Sequence, residues 1–261
     1  MEARRAVTFD LWHTLVYLAP EAESNYMTRL TDAAVRVLEE SPVEPGRPRA
    51  SSRELRARFE EASLRAVRAA HEGRAVTPEQ QLIEAARTVG RVPRPEAYVQ
   101  AIAALLAETE FRVDPSAAEV LKQVRSLGYR VGLVSNTVGE PGRLLRPIIE
   151  RLGLSPYLET YIFSDEHPWA KPAPQPFLAA LAALGSEPAA AVHVGDSWPD
   201  IEGAHRAGLR AGVLYTGLQD YSPAYRDLFA PVDGSLRGAD LAIARLPDLL
   251  PALGRLLPPG P

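Results

Sequence analysis

The sequence from residue 114 onward alternates short β-prone runs with helical segments, and this rhythm constrains the fold more than any other feature. Strands are predicted at residues 129–134, 160–164, 190–194, 210–215 and 240–244. Helices are predicted at residues 114–128, 143–152, 175–184 and 200–207, with a terminal helix ending at Leu257. Strands that alternate with helices favour a parallel, doubly wound sheet covered by helices on both faces, so the fold class is α/β.

One more strand is predicted near the start of the sequence. Val7, Thr8 and Phe9 are β-prone, and Asp10 falls where their strand should end. A carboxylate at that position is a nucleophile, a metal ligand or a cap for the next turn. The residues at the later strand ends decide among these roles.

Residues 17–110 show helical patterns and no convincing strand. Helices are predicted at residues 21–40, 52–73, 78–90 and 95–108. Ser51 with Glu54, and Thr77 with Gln80, have the spacing of capping boxes. The predicted domains are therefore an α/β core of residues 1–16 and 111–261 and a small helical bundle of residues 17–110.

Composition narrows the class of partner. The 261 residues carry a net charge of −4, which gives no bulk attraction to nucleic acid or to an anionic membrane. There is no cysteine, which excludes disulfides and thiolate metal sites and fits a reducing compartment. No apolar run approaches the roughly 18 residues that a membrane span needs. We expect a cytoplasmic protein with neither nucleic acid nor membrane as partner, and the sequence leaves its oligomeric state open.

Polar residues of complementary chemistry follow the predicted strands. Sites in parallel sheets form outside the carboxyl ends of the strands, where these residues should meet: Asp10, Ser135, Asn136, Asp196 and Asp200, with Lys171 opening a nearby helix. Three converging carboxylates repel one another, so a hard divalent cation is their natural partner. Mg²⁺ suits this oxygen-only set better than zinc, since no cysteine or close histidine pair is present.

Four segments resemble the motifs of the haloacid dehalogenase superfamily of hydrolases with a helical (C1-type) cap inserted after the first strand. The four are Asp10-Leu11-Trp12-His13-Thr14-Leu15, Val134-Ser135-Asn136, Lys171-Pro172-Ala173-Pro174, and the stretch from Gly195-Asp196 through Asp200 to Gly208. Each motif is weak alone, but their order and spacing over residues 5–215 are specific. The segment at residues 17–110 resembles the family's cap in position and helicity only.

The resemblance implies covalent catalysis on a small phosphorylated metabolite. Asp10 would attack the phosphoryl group and form an aspartyl-phosphate that water hydrolyses. Ser135 would hydrogen-bond a phosphate oxygen, and Lys171 would offset negative charge.

The resemblance also implies a ligand set. Mg²⁺ would be held by Asp10, Asp196 and the backbone carbonyl of Trp12, with Asp200 bound directly or through water. The residues expected to contact substrate are His13, Thr14 and Asn136.

Trp12 departs from the phosphatase pattern, which has a second aspartate there to protonate the leaving group. Indole cannot act as that acid or as a base. His13, Glu166 and His167 are candidate replacements, whereas His193 is expected in the core. Trp169 and Trp198 either line the entrance or pack.

Two alternatives to a phosphatase stay open. The dehalogenase branch of the family has an aromatic residue at the position of Trp12, needs no leaving-group proton and works without metal. A catalytically silent binding protein could keep the fold and the metal site.

Overall fold

The computed structural model describes residues 4–223, 225 and 238–258. The strands in this part of the chain are β1 (Arg4–Phe9), β2 (Val16–Tyr17), β3 (Arg112–Val113), β4 (Arg130–Ser135), β5 (Thr160–Phe163), β6 (Ser186–Gly195), β7 (Ala211–Tyr215) and β8 (Leu241–Ile243). The helices are α1 (Pro20–Glu40), α2 (Ser52–His71), α3 (Pro78–Thr88), α4 (Pro95–Glu108), α5 (Ala117–Ser126), α6 (Gly142–Arg151), α7 (Gln175–Leu184), α8 (Trp198–Arg206) and α9 (Leu249–Leu256).

The main sheet is parallel and has the order β5-β4-β1-β6-β7-β8. β1 therefore lies at its centre, between β4 and β6. Side chains of β1 alternate between two buried faces: Val7 and Phe9 pack in one apolar cluster, and Ala6 packs in another with residues of α7. Both faces are covered by helices, which confirms the predicted doubly wound α/β class.

Helices α1 to α4 pack against one another in a helical layer, as the pattern of residues 17–110 predicts. Their apolar stripes meet inside this layer, where the rings of Phe59 on α2 and Tyr98 on α4 lie 5.6 Å apart. The predicted capping box of α3 is present in full, since Thr77 and Gln80 each bind the other's backbone N–H. The predicted box of α2 is only half formed: Ser51 accepts from the N–H of Glu54, and the reciprocal bond is missing.

A short antiparallel ribbon was not predicted. Val16 of β2 pairs with Val113 of β3, and Tyr17 pairs with Arg112. The chain thus leaves the sheet and returns to it through two adjacent strands. The domain boundaries at residues 17 and 110 stay a prediction, and this ribbon lies next to both.

Most predicted boundaries lie within two residues of those in the structure, but the starts of one helix and one strand differ by more. Helix α5 begins at Ala117 rather than at residue 114, because Asp114 accepts hydrogen bonds from the N–H and hydroxyl of Ser116 and makes a turn. Strand β6 begins at Ser186, before its buried part. Within the described residues, no helix combines the length and apolar character that crossing a membrane requires.

Candidate active site

Lys171 lies at the centre of the site, at the carboxyl end of the sheet. Its Nζ donates to Asp10 Oδ1 and to Asp200 Oδ1, each at 2.6 Å, and to the carbonyl of Val134 at 2.9 Å. Although burial opposes its charge, the two carboxylates raise the pKa of Lys171 to about 12. Burial raises the pKa of Asp10, and Lys171 offsets part of that rise. The ammonium group therefore stays charged beside the predicted nucleophile.

Asp200 is held by protein groups on both oxygens. Besides Lys171, Oδ1 is 2.9 Å from His193 Nε2, and Oδ2 accepts from the N–H and hydroxyl of Ser197 at the start of α8. Burial disfavours its charge, but Lys171 and His193 hold the pKa of Asp200 far below its ordinary value. A Cβ on Gly195 would lie 2.2 Å from Asp200 Cγ, so glycine is required for this approach. These contacts make Asp200 an orienting group for Lys171.

His193 joins this network, a role that the sequence did not reveal. It is fully buried, as predicted, and Thr8 Oγ1 lies 2.9 Å from its Nδ1. Because an ionised carboxylate only accepts, Nε2 carries the proton toward Asp200 and Nδ1 accepts from Thr8. Burial lowers the pKa of His193, which keeps the imidazole neutral. Its position two residues before Gly195 on β6 is the signal that could have found it.

Asp10, Asp196 and Asp200 form a buried acidic cluster. One carboxylate oxygen of each lies within 4.8 Å of the others. Burial and repulsion from Asp200 and Asp10 raise the pKa of Asp196 to about 7, although Tyr221 donates to its Oδ2 at 2.8 Å. An all-oxygen set crowded to this degree fits a hard divalent cation such as Mg²⁺. With both oxygens of Asp200 engaged, Asp10 and Asp196 are the better direct ligands.

Two buried hydroxyls in the motifs have no hydrogen-bond partner among the described residues. They belong to Ser135, at the end of β4, and to Thr14, in the loop after β1. Buried polar groups are normally paired, so an unpaired buried hydroxyl has hydrogen-bonding capacity left for a polar ligand. The role of Ser135 as a phosphate-binding group stays a prediction.

Asn136 and His13, both predicted to contact substrate, are engaged by the protein. The side-chain amide of Asn136 donates to the carbonyl of Lys171 and accepts from its N–H, which fixes the Lys171 backbone. His13 is buried, with Nε2 2.7 Å from Glu23 Oε1 and Nδ1 3.2 Å from the carbonyl of Leu218. Its φ of 54° is in the left-handed region. Substrate contact by these residues and by Thr14 stays a prediction.

A cleft with an empty volume of about 930 Å³ opens onto the catalytic end of the sheet. Asp10, Asn136, Lys171 and Asp196 line it on one side, and side chains of α1 and α2 line it on the other. Trp12 also lines it, and its ring lies 5.6 Å from that of Phe111. The site thus presents an indole at the position where the resemblance to phosphatases implies a carboxylate.

The predicted replacement acids do not line this cleft among the described residues. Glu166 is exposed and forms an ion pair with Arg146, and Trp169 is 43% exposed. His167 lies in the same loop. Trp198 packs edge-on against His71, which does line the cleft.

Glu140 is an acidic residue of the cleft that sequence reasoning missed. It is buried, and Tyr26 of α1 donates to its Oε1 at 2.6 Å. Burial raises the pKa of Glu140 to about 7, partly offset by the bond from Tyr26. Only its position, four residues after Asn136, could have drawn attention to it.

Curated proteins that are similar to this chain include phosphoglycolate phosphatases. The protein of Aquifex aeolicus (strain VF5) is 35% identical over 103 residues, which are 40% of this chain and 47% of that protein. The protein of Escherichia coli (strain K12) is 33% identical over 140 residues, 54% of this chain and 50% of that protein. The chain spans about half the length of these relatives.

Solved structures match over nearly the whole chain. A 2-haloacid dehalogenase from Pseudomonas syringae pv. Tomato DC3000 matches with a TM-score of 0.63 and 22% identity, over 97% of this chain and 99% of that one. CbbY from Rhodobacter sphaeroides in complex with phosphate matches with a TM-score of 0.61 and 18% identity, over 95% and 96%. These likenesses establish the fold. A family model described as haloacid dehalogenase-like hydrolase matches residues 4–208, and the chain belongs to this family.

Proposed function

We propose that this protein is a Mg²⁺-dependent phosphatase that hydrolyses small phosphorylated metabolites in the cytoplasm, with Asp10 as nucleophile. The observation that carries the proposal is the joint placement of Asp10 against the Lys171 ammonium and within the acidic cluster of Asp196 and Asp200. The unpaired hydroxyl of Ser135 supports it as a phosphate ligand. Residues 17–110 act in this proposal as the cap over the cleft.

In the first step, a carboxylate oxygen of Asp10 attacks phosphorus. The bond from phosphorus to the ester oxygen breaks, and that oxygen leaves with the electron pair. Lys171 and the Ser135 hydroxyl stabilise the negative charge on the phosphoryl oxygens. Asp200 and Asn136 keep Lys171 in position for this task.

In the second step, water attacks phosphorus of the aspartyl-phosphate. The bond from phosphorus to Asp10 breaks, which restores the carboxylate and releases inorganic phosphate. One proton of the water stays on the phosphate, and the other compensates the proton that the departed alcohol took from solvent.

Mg²⁺ would be held by Asp10, Asp196 and the backbone carbonyl of Trp12, with Asp200 close by. When bound, it would neutralise the acidic cluster and polarise the phosphoryl group.

Trp12 determines which leaving groups can depart. Without an acid at this position, the ester oxygen must leave as an anion or take its proton from solvent. Esters of acidic alcohols, such as aryl phosphates, and acyl phosphates should therefore react faster than alkyl phosphates.

The mechanism is tested first with Asp10→Asn. We expect phosphate release from 4-nitrophenyl phosphate with Mg²⁺ to fall at least about 1,000-fold, because the amide is not a nucleophile. Asp248→Asn, on the surface in an ion pair with Arg245, is the matched control and should keep wild-type activity. Full activity of Asp10→Asn would sink the proposal.

Leaving-group dependence is tested by comparing aryl and alkyl phosphates with Mg²⁺ and with chelator. We expect faster turnover of the aryl ester and loss of both activities in chelator. Equal kcat/KM for the two esters would show that another residue supplies the proton.

The dehalogenase alternative draws on the aromatic residue at position 12. The acidic cluster argues against it, because the dehalogenase branch has no metal to neutralise three carboxylates. Halide release from 2-haloacids in chelator would favour it, whereas ligand binding without any turnover would favour a silent binding protein.

A further inference from the structure

The far wall of the cleft is apolar. Opposite the catalytic end, it is formed by side chains from the loop after β2, from α1 and α2, and from the loop after β4: Leu18, Met27, Leu30, Val67, Ala70 and Val138. The organic part of a substrate whose phosphate lies at Asp10 must occupy this region. Its wall favours contact with an apolar group.

The cleft offers no spare positive charge along its described lining. Lys171 is the sole lysine or arginine of that lining, and it already binds Asp10 and Asp200. His71 is the other basic residue there, and burial lowers its pKa, which favours the neutral ring. A carboxylate on the organic group would therefore lose its water without gaining a cation.

Apart from the imidazole of His71, the polar groups on the far side are acidic or phenolic. Tyr26 and Glu140 form a hydrogen-bonded pair that lines the cleft, and Glu23, which also lines it, is bound by His13 and by the N–H of Ser222. Glu140 can bind a hydroxyl or amide of a neutral group in either protonation state, and in its ionised form it repels an anion. The wall thus combines apolar contact with discrimination against negative charge.

We propose that the cleft selects phosphate esters of neutral, aromatic alcohols and rejects those whose organic part carries a carboxylate. This inference rests on the proposed phosphatase function and narrows its substrate class. It separates this chain from the substrate named in its curated relatives, because phosphoglycolate carries a carboxylate next to the ester. The ring of Trp12 and the apolar wall would enclose the flat ring of the alcohol.

The test uses two nearly isosteric esters, 3-carbamoylphenyl phosphate and 3-carboxyphenyl phosphate. The phenol of the amide is somewhat more acidic, so the ratio of the two kcat/KM values is corrected by the ratio of the uncatalysed hydrolysis rates. We expect kcat/KM for the amide to exceed that for the carboxylate by at least about 30-fold, because the carboxylate is desolvated without a partner. Equal values would overturn the inference and leave the phosphatase proposal intact.

Glu140→Gln sharpens the test, since glutamine can still accept from Tyr26. The variant should raise kcat/KM for the carboxylate ester and so lower the ratio of the amide value to the carboxylate value. Glu150→Gln, on the exposed face of α6, is the control and should leave the ratio unchanged. An unchanged ratio in a folded Glu140→Gln variant would contradict the role of Glu140.

A binding measurement keeps this test independent of turnover. The corresponding non-hydrolysable benzylphosphonates, with amide or carboxylate at the 3-position, are titrated into the wild-type protein with Mg²⁺ by calorimetry. Preference for the amide without any turnover of the esters would support the selective cleft and reject the phosphatase proposal. Equal binding of the two phosphonates, or no binding of either, would overturn the inference.

Discussion

Ser135 is the residue for which stability and function should separate most clearly. Its buried hydroxyl has no partner among the described residues, so Ser135→Ala removes no protein hydrogen bond. We expect the free energy of unfolding to change by less than about 0.5 kcal/mol. Phosphatase kcat/KM should fall about 100-fold, as for other lost donors to a reacting oxyanion. Ser126→Ala, at the exposed end of α5, should change neither quantity much.

His13 contributes to stability in two opposing ways. Its backbone is strained, and its side chain forms a buried pair with Glu23. His13→Ala leaves Glu23 buried with one partner fewer, and we expect it to cost about 3 kcal/mol of unfolding free energy. His13→Gly should cost about 1 kcal/mol less, since glycine adopts a φ of 54° without strain.

Urea denaturation of the His13 variants measures these differences. His205→Ala is the matched control, since it breaks a partly exposed pair with Asp240 and should cost less than about 1 kcal/mol. Equal losses for His13→Ala and His13→Gly would show that the backbone at His13 stores no strain.

The raised pKa of Glu140 leads us to expect that the free energy of unfolding depends on pH. Its pKa rises from 4.5 to about 7 on folding, so the stability that its proton contributes is complete below pH 4.5 and is lost as pH rises through about 7. The groups that face it are Tyr26, Tyr98 and Asp165.

Replacement by glutamine removes this titration. The unfolding free energy of Glu140→Gln minus that of wild type should therefore increase between pH 5 and pH 8. Glu150→Gln should give a difference that does not vary with pH. A flat difference for Glu140→Gln would mean that Glu140 ionises as readily in the native state as in the unfolded chain.

At the scale of elements, the complete capping box of α3 stabilises the start of that helix. Thr77→Ala removes the acceptor for the N–H of Gln80 and should cost about 1 kcal/mol. Thr88→Ala, at the exposed end of the same helix, should cost less. Thermal unfolding measures both, and equal losses would show that the box adds nothing beyond the local helix propensity.

The sequence predicted the type of an element, helix or strand, wherever the residue pattern and the length of the run both favoured the same type. Helix α7 (Gln175–Leu184) and strand β5 (Thr160–Phe163) appear where the alanine-rich run and the β-prone run at residues 160–164 predict them. The half-formed box of α2 shows the limit of such signals, since spacing cannot show whether the Glu54 side chain turns back. The β2–β3 ribbon was missed because two residues per strand are too few to show a period.

At the scale of the whole molecule, the proposed Mg²⁺ site at the acidic cluster predicts that cation binding stabilises the fold. Mg²⁺ at about 100 times its Kd should stabilise the native state by about 2.7 kcal/mol. For a chain of this size, the thermal midpoint should then rise by about 5 °C. Asp196→Asn should remove most of that rise, whereas Asp248→Asn should preserve it. An equal rise in both variants would place the cation outside the cluster.

The sequence predicted that the charged residues of the candidate site would lie together. It did not predict the residues that hydrogen-bond to them or line the cleft beside them. Asp10, Lys171 and Asp196 stand at strand ends or beside them, where a parallel sheet gathers polar groups. His193 and Glu140 were not predicted as members because a core histidine and a loop glutamate carry no pattern of their own. Their roles come from packing between elements distant in sequence.

The β2–β3 ribbon has a consequence for how such a molecule can change over generations. Val16 and Val113 are paired, so the two ends of the stretch between β2 and β3 lie side by side. The length of that stretch therefore does not affect how the chain leaves and rejoins the core. An ancestor could exchange, shorten or enlarge that stretch without moving β1. The part of the cleft wall that α1 and α2 supply can thereby change while the strands that precede Asp10 and Asp196 stay in place.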